Sequence, residues 1–175
     1  RFQRIHLAAE SFAAGQVHTV HQGRPLWVRY DLDRVRAAVR PADFTARPPS
    51  LWRYRELLPL PADAEPVTLG EGWTPMIHAE RLGKELGLPE LYIKDESPNP
   101  TNSFKARGLS AAVTRAHHLG AKVLSIPTAG NAGNAMSAYA AKAGITAKVF
   151  MPRDVKKPFI RECELYGADV TLVDG

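Results

Sequence analysis

Lys105 follows a short run of residues whose types suit amine chemistry. Residues 99–103 read Asn-Pro-Thr-Asn-Ser, and apolar side chains then recur at helical spacing over residues 104–118. Lys105 is therefore predicted to lie in the first turn of a helix, where Thr101 or Ser103 could cap free backbone N–H groups. The positive end of the helix dipole disfavours a cation there. A neutral amine is the nucleophile that forms a Schiff base with a carbonyl compound.

A second loop has the residue types needed to hold a carboxylate. Residues 128–134 read Thr-Ala-Gly-Asn-Ala-Gly-Asn and join a predicted strand to a predicted helix. Open α/β sheets bind ligands at this end of their strands. Gly130 and Gly133 would let the backbone approach a ligand closely, and the first-turn N–H groups favour an anion. Without further motifs, the loop also fits a simple turn in which Asn131 is only an N-cap.

Alternating helices and strands must position these two loops. Helical periodicity predicts helices over residues 33–39, 79–86, 104–119, 131–143 and 157–166. Short apolar runs predict strands over residues 28–32, 91–94, 121–126, 147–151 and 168–173. The last four helices are followed by Gly87, Gly120, Gly144 and Gly167, the residue type favoured after a helix. Short connections of this kind indicate an α/β fold with parallel strands and right-handed crossovers.

The first 65 residues have a different organisation. Prolines at 48–49 and within 59–61 interrupt a segment that also contains Trp52, Tyr54 and Leu57. This composition indicates an ordered arm that packs on another part of the protein. Two regions are therefore predicted, an N-terminal extension over residues 1–65 and a regular α/β region over residues 66–175.

Composition excludes several classes of protein. The chain has 175 residues, 45% of them apolar and 23% charged, which is ordinary for a globular protein. A net charge of +5 would suit an anionic ligand, but the scattered basic residues give no sign of nucleic-acid binding. No apolar run could span a bilayer and no secretory signal is visible, so we expect a soluble, cytoplasmic protein without membrane partners.

Cysteine and histidine content argues against a metal site. Cys163 is the single cysteine, so neither an intrachain disulfide nor a cysteine zinc site can form, and it is predicted to be a small core residue. His18 and His21 stand three residues apart without a second pair, whereas zinc normally takes four ligands. We therefore expect no bound metal.

Four motifs, in order, resemble those of the threonine synthase family of fold-type II pyridoxal phosphate (PLP) enzymes. Residues 103–108 (Ser-Phe-Lys-Ala-Arg-Gly) resemble the cofactor-lysine motif, and residues 70–76 (Gly-Glu-Gly-Trp-Thr-Pro-Met) resemble the opening of the catalytic region. Residues 91–96 resemble the strand before the lysine, and residues 128–134 resemble the asparagine loop. The resemblance implies a tryptophan synthase beta-like α/β fold with parallel sheets flanked by helices. Because the family's catalytic region is longer, the chain is interpreted as an N-terminal portion whose C-terminal half is missing.

The resemblance also implies roles for individual residues. Lys105 would form the internal aldimine with pyridoxal 5′-phosphate and then act as base and acid at the α and β carbons of the substrate. Phe104 would lie against the cofactor ring, Asn131 would hydrogen-bond its 3′ oxygen, and Arg107 would be structural. The carboxylate of a small amino-acid substrate would be held by the backbone of Thr128, Ala129, Gly130, Asn131 and Ala132.

The implied activity is that of a carbon–oxygen lyase converting O-phospho-L-homoserine and water to L-threonine and phosphate. The motif at residues 70–76 favours this activity over its relatives. A serine/threonine dehydratase, another β-replacement enzyme such as a cysteate or cysteine synthase, and a truncated non-catalytic paralogue remain alternatives. Dimers are common in the resembled family, which leaves a homodimer open.

The chain departs from the family pattern in ways that bear on substrate. Asn102 stands where a glycine is usual, and Ala106 stands where an aspartate is common. Ala129 and Ala132 replace frequent hydroxyl residues that can contact the substrate, which leaves the exact substrate open. The glycine-rich phosphate loop and the partner of the pyridine nitrogen have no candidate here, so we expect the fragment alone to be inactive.

Overall fold

The structure, a computed structural model, describes residues 3–7, 10–18, 20–61 and 63–174, with the side chains of residues 3–7 left undescribed. The strands are β1 (Gln3–Leu7), β2 (Glu10–Phe12), β3 (Val20–His21), β4 (Arg24–Pro25), β5 (Trp27–Tyr30), β6 (Met76–His78), β7 (Tyr92–Lys94), β8 (Val123–Pro127), β9 (Thr146–Pro152) and β10 (Asp169–Val173). The α-helices are α1 (Leu32–Ala38), α2 (Pro41–Thr45), α3 (Glu80–Leu86), α4 (Lys105–His118), α5 (Asn131–Ala143) and α6 (Lys157–Leu165). Two 3-10 helices span Leu51–Leu57 and Pro100–Asn102.

A parallel sheet in the order β10-β9-β8 forms the centre of the second half of the chain. Helix α5 connects β8 to β9 and helix α6 connects β9 to β10, which confirms the parallel βαβ units predicted from sequence. Inward and outward side chains alternate along β9, so that Ala147, Val149 and Met151 are buried. These residues pack with Val113, Tyr139 and other side chains of the flanking helices in one hydrophobic core.

Most helix and strand bounds in this half agree with the sequence to within two residues. Helix α5 begins at Asn131 and ends at Ala143 as predicted, while α4 is one residue shorter than predicted at each end. The glycines at positions 87, 120, 144 and 167 all have positive φ. Gly87 and Gly144 are left-handed C-caps, because only glycine adopts this conformation without a steric cost.

The strand at residues 92–94 is placed differently from the prediction. The alternation of helices and strands predicts a parallel strand here, but β7 pairs antiparallel with β6, with Ile77 opposite Ile93. Strand β6 was not predicted at all. Each strand has only three residues and both are exposed along their length, so neither shows the buried alternation that would reveal it.

An antiparallel sheet near the N-terminus was also missed apart from one strand. Its order is β2-β1-β5, and it includes β5, which corresponds to the strand predicted over residues 28–32. Strands β3 and β4 form a separate hairpin across Gln22 and Gly23, which both have positive φ. Strands β2, β3 and β4 have only two or three residues each, which is too few to show a recognisable alternation.

The segment around Trp52 packs on the second half of the chain, as the sequence suggested. Trp52 lies in the first 3-10 helix and is 8% exposed, and its indole N–H donates to side chains of Glu71 and Ser110. In the part of the chain that the structure describes, no helix is both long and apolar enough to cross a membrane.

Candidate active site

Lys105 is the first residue of helix α4, as predicted, and Phe104 is its N-cap. The backbone N–H of Lys105 donates to the Ser103 hydroxyl across 3.3 Å, whereas the Thr101 hydroxyl donates to the carbonyl of Pro100. Of the two capping candidates, Ser103 therefore contacts the helix start. The Lys105 amine lies 4.6 Å from the centre of the Phe104 ring.

The Lys105 amine forms no ion pair with a described residue. Among the described residues, no carboxylate lies within ion-pair distance of its Nζ. Phe104 is 57% exposed, so part of its ring is accessible to a ligand near the amine. An amine that is not paired with a carboxylate is available to react with a carbonyl group.

The backbone just before Lys105 adopts an uncommon conformation. Thr101 and Asn102 both have positive φ, at 57° and 53°. Asparagine tolerates this region better than most residues, whereas a β-branched residue such as threonine pays a steric cost. Asn102 stands where the resembled family usually has glycine, and its backbone shows why glycine suits that position.

We call residues 99–107, which include Lys105, the lysine turn. The Glu96 carboxylate accepts hydrogen bonds from residues at both ends of this segment. Arg107 donates from Nε to Oε2 at 2.6 Å and from Nη2 to Oε1 at 2.8 Å. Thr74 donates its hydroxyl to Oε1 at 2.7 Å, and Asn99 donates its amide to Oε2 at 2.9 Å. Arg107 was predicted to be structural, and this bidentate pair gives it that role.

Charge and hydrogen bonding stabilise the ionised form of Glu96. The bidentate hydrogen bonds from Arg107 lower its pKa from 4.5 to about 2, with further hydrogen bonds from Thr74 and Asn99. The same carboxylate raises the pKa of Arg107. A fully charged pair therefore lies beside the start of α4 at any pH near neutrality.

Backbone hydrogen bonds and close packing at a glycine hold the second loop in place. The N–H of Gly130 donates to the Thr128 hydroxyl at 3.2 Å, and the N–H of Thr128 donates to the Phe150 carbonyl at 2.9 Å. A Cβ on Gly133 would lie 2.7 Å from the Thr128 methyl group and 3.0 Å from a methyl group of Val149. Glycine at position 133 therefore allows α5 to lie close to Thr128 of the loop and to Val149 of β9.

Asn131, Ala129 and Ala132 stand at the open end of this loop. Asn131 is exposed, and the N-cap of α5 is Gly130 rather than Asn131. The first N–H groups of a helix have no partner within the helix and can bind an anion. The second 3-10 helix, which precedes Lys105, packs against α5, so the two loops belong to one region. The structure includes no ligand contact for Thr128, Ala129, Gly130, Asn131 or Ala132, and their roles stay predictions.

A buried glutamate that the sequence reading did not single out links four parts of the chain. Glu71 is fully buried, and its carboxylate accepts hydrogen bonds from five donors. Three come from distant side chains: Trp52 Nε1 at 2.6 Å, Ser110 Oγ at 2.5 Å and Tyr139 OH at 2.7 Å. The other two are nearby in sequence: Thr68 Oγ1 at 3.1 Å and Leu69 N at 3.0 Å. Burial tends to raise its pKa, but the hydrogen bonds from Ser110 and Tyr139 outweigh this and hold the pKa below its usual value. Burial and the nearby carboxylate raise the pKa of Tyr139.

Cys163, His18 and His21 each contact other side chains of the protein. Cys163 is fully buried, as predicted, where its thiol donates to the Asn134 side chain at 3.3 Å and burial raises its pKa. His18 and His21 pack against the ring of Phe12. Among the described residues, no group of three or more histidine, cysteine or acidic side chains could hold a metal ion.

The chain belongs to the pyridoxal-phosphate dependent enzyme family, whose model matches residues 67–175. It is 37% identical to the threonine synthase of Methanocaldococcus jannaschii over 160 residues, which are 91% of this chain and 40% of that protein. It is 40% identical to the threonine synthase of Methanosarcina acetivorans over 128 residues, which are 73% of this chain and 31% of that protein. The chain thus spans less than half the length of these relatives.

Solved structures show the same fold. A pyridoxal 5′-phosphate-dependent aspartate racemase superposes with a TM-score of 0.54 at 28% identity, over 58% of this chain and 32% of the racemase. A maize serine racemase superposes with a TM-score of 0.51 at 22% identity, over 58% of this chain and 31% of the racemase, which shows the fold alone. The fold-type II class and the resemblance to threonine synthases are thereby confirmed, and the family's cofactor is pyridoxal phosphate.

The residues present fit the part of the cofactor that this segment could hold. Lys105 supplies an amine that no described carboxylate neutralises, next to an exposed aromatic ring. The loop after β8 supplies first-turn N–H groups with no side chain at Gly130, where a Cβ would lie 3.2 Å from the ring of Phe159. An aldehyde and an anionic group are the ligand chemistries that such donors bind.

Proposed function

We propose that this chain provides the lysine-bearing part of a threonine synthase-like lyase, which converts O-phospho-L-homoserine and water to L-threonine and phosphate. The observation that supports the proposal most directly is Lys105 at the start of α4, an amine that forms no ion pair with a described residue and lies within a motif order that resembles that of threonine synthases. Both relatives described above are threonine synthases.

The cofactor would supply the electron sink that stabilises negative charge at the substrate carbons. Lys105 would hold the cofactor and move protons at the α and β carbons of the substrate. Phe104 would pack on the cofactor ring, and Asn131 would donate a hydrogen bond to the cofactor's 3′ oxygen. The backbone of Thr128, Ala129, Gly130, Asn131 and Ala132 would hold the substrate carboxylate. Because the N–H groups of Thr128 and Gly130 donate to other protein atoms, the donors to the carboxylate would be the N–H groups of Ala129, Asn131 and Ala132.

Two other reactions use the same residues. A serine/threonine dehydratase and a β-replacement enzyme would need the same lysine and the same carboxylate loop. The alanines at 129 and 132 stand where related enzymes often have hydroxyl groups, which bears on how a substrate and its leaving group are held. The identity to threonine synthases at 37–40% favours the first activity over these two.

We also propose a division of the chain at residue 66. Residues 1–65 would form an arm, and residues 66–175 would form the first part of the catalytic region. The family match begins at residue 67, which supports this boundary.

Borohydride trapping tests the cofactor site directly. The longest obtainable form of the protein is incubated with pyridoxal 5′-phosphate, reduced with borohydride and mapped by peptide mass spectrometry. We expect the pyridoxyl group on Lys105, and we expect a separate, unreduced sample to release phosphate from O-phospho-L-homoserine in an activity assay. Labelling distributed over exposed lysines such as Lys122 and Lys142, without enrichment at Lys105, would rule out the proposal.

Lys105→Ala supplies the matching variant. It should remove the specific label and all turnover while leaving the fold intact, because the side chain is partly exposed and forms no ion pair with a described residue. Lys142→Ala, on an exposed position of α5, is the control and should retain both label and turnover. Steady-state turnover by Lys105→Ala would contradict the assigned role.

A further inference from the structure

We infer that Glu96 is a positioning residue for Lys105, because its carboxylate joins both ends of the lysine turn. This inference rests on the proposed function, since it concerns the geometry of the same amine. Glu96 itself follows β7 and contacts neither the Lys105 amine nor the loop at 128–132 within hydrogen-bond distance.

The lysine turn needs an external support. Thr101 and Asn102 both adopt left-handed backbone conformations, at φ 57° and 53°. Non-glycine residues in this region have a steric cost, and they persist only where surrounding contacts enforce the conformation. Without such contacts, the turn would relax and Lys105 would lose its fixed direction at the helix start.

Asn99 provides the support on the N-terminal side of the turn. It is 3% exposed, and its amide donates to the Glu96 side chain at 2.9 Å and to the Glu96 carbonyl at 3.0 Å. Its side-chain oxygen accepts the N–H of Gly72 at 3.0 Å, and its backbone carbonyl accepts the N–H of Asn102 at 2.9 Å. Asn102 is thereby linked to Glu96 through one buried residue, Asn99.

Arg107 provides the support on the C-terminal side. It lies two residues beyond Lys105 in the first turn of α4, and its guanidinium binds both oxygens of Glu96. Planar bidentate pairing fixes direction as well as distance. Thr74 closes the arrangement, because its hydroxyl donates to Glu96 and lies 3.2 Å from Nη2 of Arg107. One carboxylate therefore fixes both ends of the segment that carries the reactive amine.

The chain contains a second bidentate pair that serves as a matched control. Arg47 donates to both oxygens of Glu56 at 2.8 Å, within the first 65 residues. The side chains of Arg47 and Glu56 are 26% and 15% exposed, compared with 30% and 27% for Arg107 and Glu96. Glu56→Gln removes the same kind of interaction without a contact to the lysine turn.

The experiment compares Glu96→Gln, Arg107→Lys and Glu56→Gln in the longest obtainable form of the protein. The first readout is the rate at which borohydride fixes pyridoxal 5′-phosphate to Lys105, measured against the rate at Lys142 in the same sample. We expect Glu96→Gln and Arg107→Lys to slow labelling of Lys105 by about tenfold or more, since small misplacements of reacting groups have large effects on rate. Glu56→Gln should match the wild type.

The second readout is hydrogen exchange in the cofactor-free protein, which separates positioning from general destabilisation. Loss of positioning should speed exchange over residues 99–107 in Glu96→Gln while the amides of α5 keep their wild-type rates. Arg107→Lys keeps the charge and guards against a failure of Glu96→Gln to fold. Uniformly faster exchange over both segments would overturn the inference and leave Glu96 with a merely structural role.

The two proposals fail in different ways. Equal labelling of Lys105 in the wild type, Glu96→Gln and Arg107→Lys would overturn the positioning role while the proposed function stands. Absence of specific labelling at Lys105 in the wild type would overturn the proposed function. Hydrogen exchange over residues 99–107 would then still decide whether Glu96 holds the turn.

Discussion

At the scale of single residues, the carboxylate of Glu71 is the most heavily hydrogen-bonded side chain described above. Its donors Trp52, Ser110 and Tyr139 lie 19, 39 and 68 residues away along the chain. Hydrogen bonds to a buried charge contribute more than those between neutral groups, and removing the charge leaves its donors poorly satisfied.

Glu71→Gln should therefore lower the free energy of unfolding by about 2–3 kcal/mol. The amide can still accept from some donors through its oxygen, but its NH2 group faces donors rather than acceptors. Chemical denaturation followed by circular dichroism measures the change. Glu164→Gln, which breaks an exposed ion pair with Arg161 on α6, is the control, with an expected change below about 0.5 kcal/mol.

Gly133→Ala should destabilise the protein by about 1–3 kcal/mol, because the added methyl group would overpack the site. Its Cβ would lie 2.7 Å from Thr128 and 3.0 Å from Val149. Gly108→Ala on α4 is the control, since nothing lies within 4 Å of its Cβ. It should stabilise the helix by about 0.5–1 kcal/mol. Equal effects of the two substitutions in thermal denaturation would contradict the close packing of the loop.

Sequence reasoning reached some of these residues and missed others for a physical reason. Lys105 and Arg107 were identifiable because they lie within one contiguous motif at a helix start. Glu71 was quoted within a motif but not recognised as a centre of hydrogen bonding, because its partners are distant in sequence. Glu96 and Asn99 follow a short strand in a polar run, and only the folded chain brings Glu96 to the lysine turn.

At the scale of elements, the 3-10 turn before α4 depends on residues that accept a left-handed backbone. Asn102→Gly should keep or increase stability by up to about 1 kcal/mol, because glycine has no Cβ cost at φ 53°. Asn102→Val should decrease it by about 1–2 kcal/mol, because β-branched residues strongly disfavour this region. Denaturation midpoints of both variants check the sign, and a more stable Asn102→Val would contradict the backbone assignment.

Predictability from sequence also varied between elements. The helices of the parallel region were predicted closely because each combines helical periodicity with a glycine at its end. Most of the antiparallel sheet and the strand pair β6–β7 were missed or misplaced, because β2, β6 and β7 have only three residues each and show no reliable alternation. Their pairing is set by tertiary contacts rather than by local pattern.

At the scale of the whole molecule, stability should fall on acidification through structural carboxylates such as Glu96 and Glu71. The pKa of Glu96 is lowered from 4.5 to about 2, and that of Glu71 is also lowered. A lowered folded-state pKa means that the unfolded chain binds protons first, so the contribution is present above the unfolded value and is lost as pH falls towards the folded value.

We therefore expect the thermal midpoint to decrease as pH falls from 4.5 towards 2. Glu96→Gln should make this decrease shallower, because the variant has no carboxyl group to protonate at that position. Thermal scans of wild type and variant across this range measure the difference. Parallel curves would show that Glu96 does not contribute to the acid sensitivity.

The burial of Trp52 gives the molecule an optical property. The chain has three tryptophans, and Trp27 and Trp73 are 68% and 64% exposed, whereas Trp52 is 8% exposed. An indole shielded from water emits at shorter wavelength than a hydrated one, so the blue edge of the fluorescence spectrum comes from Trp52. With Trp27 and Trp73 replaced by phenylalanine, a red shift would signal separation of the Trp52 segment from Glu71.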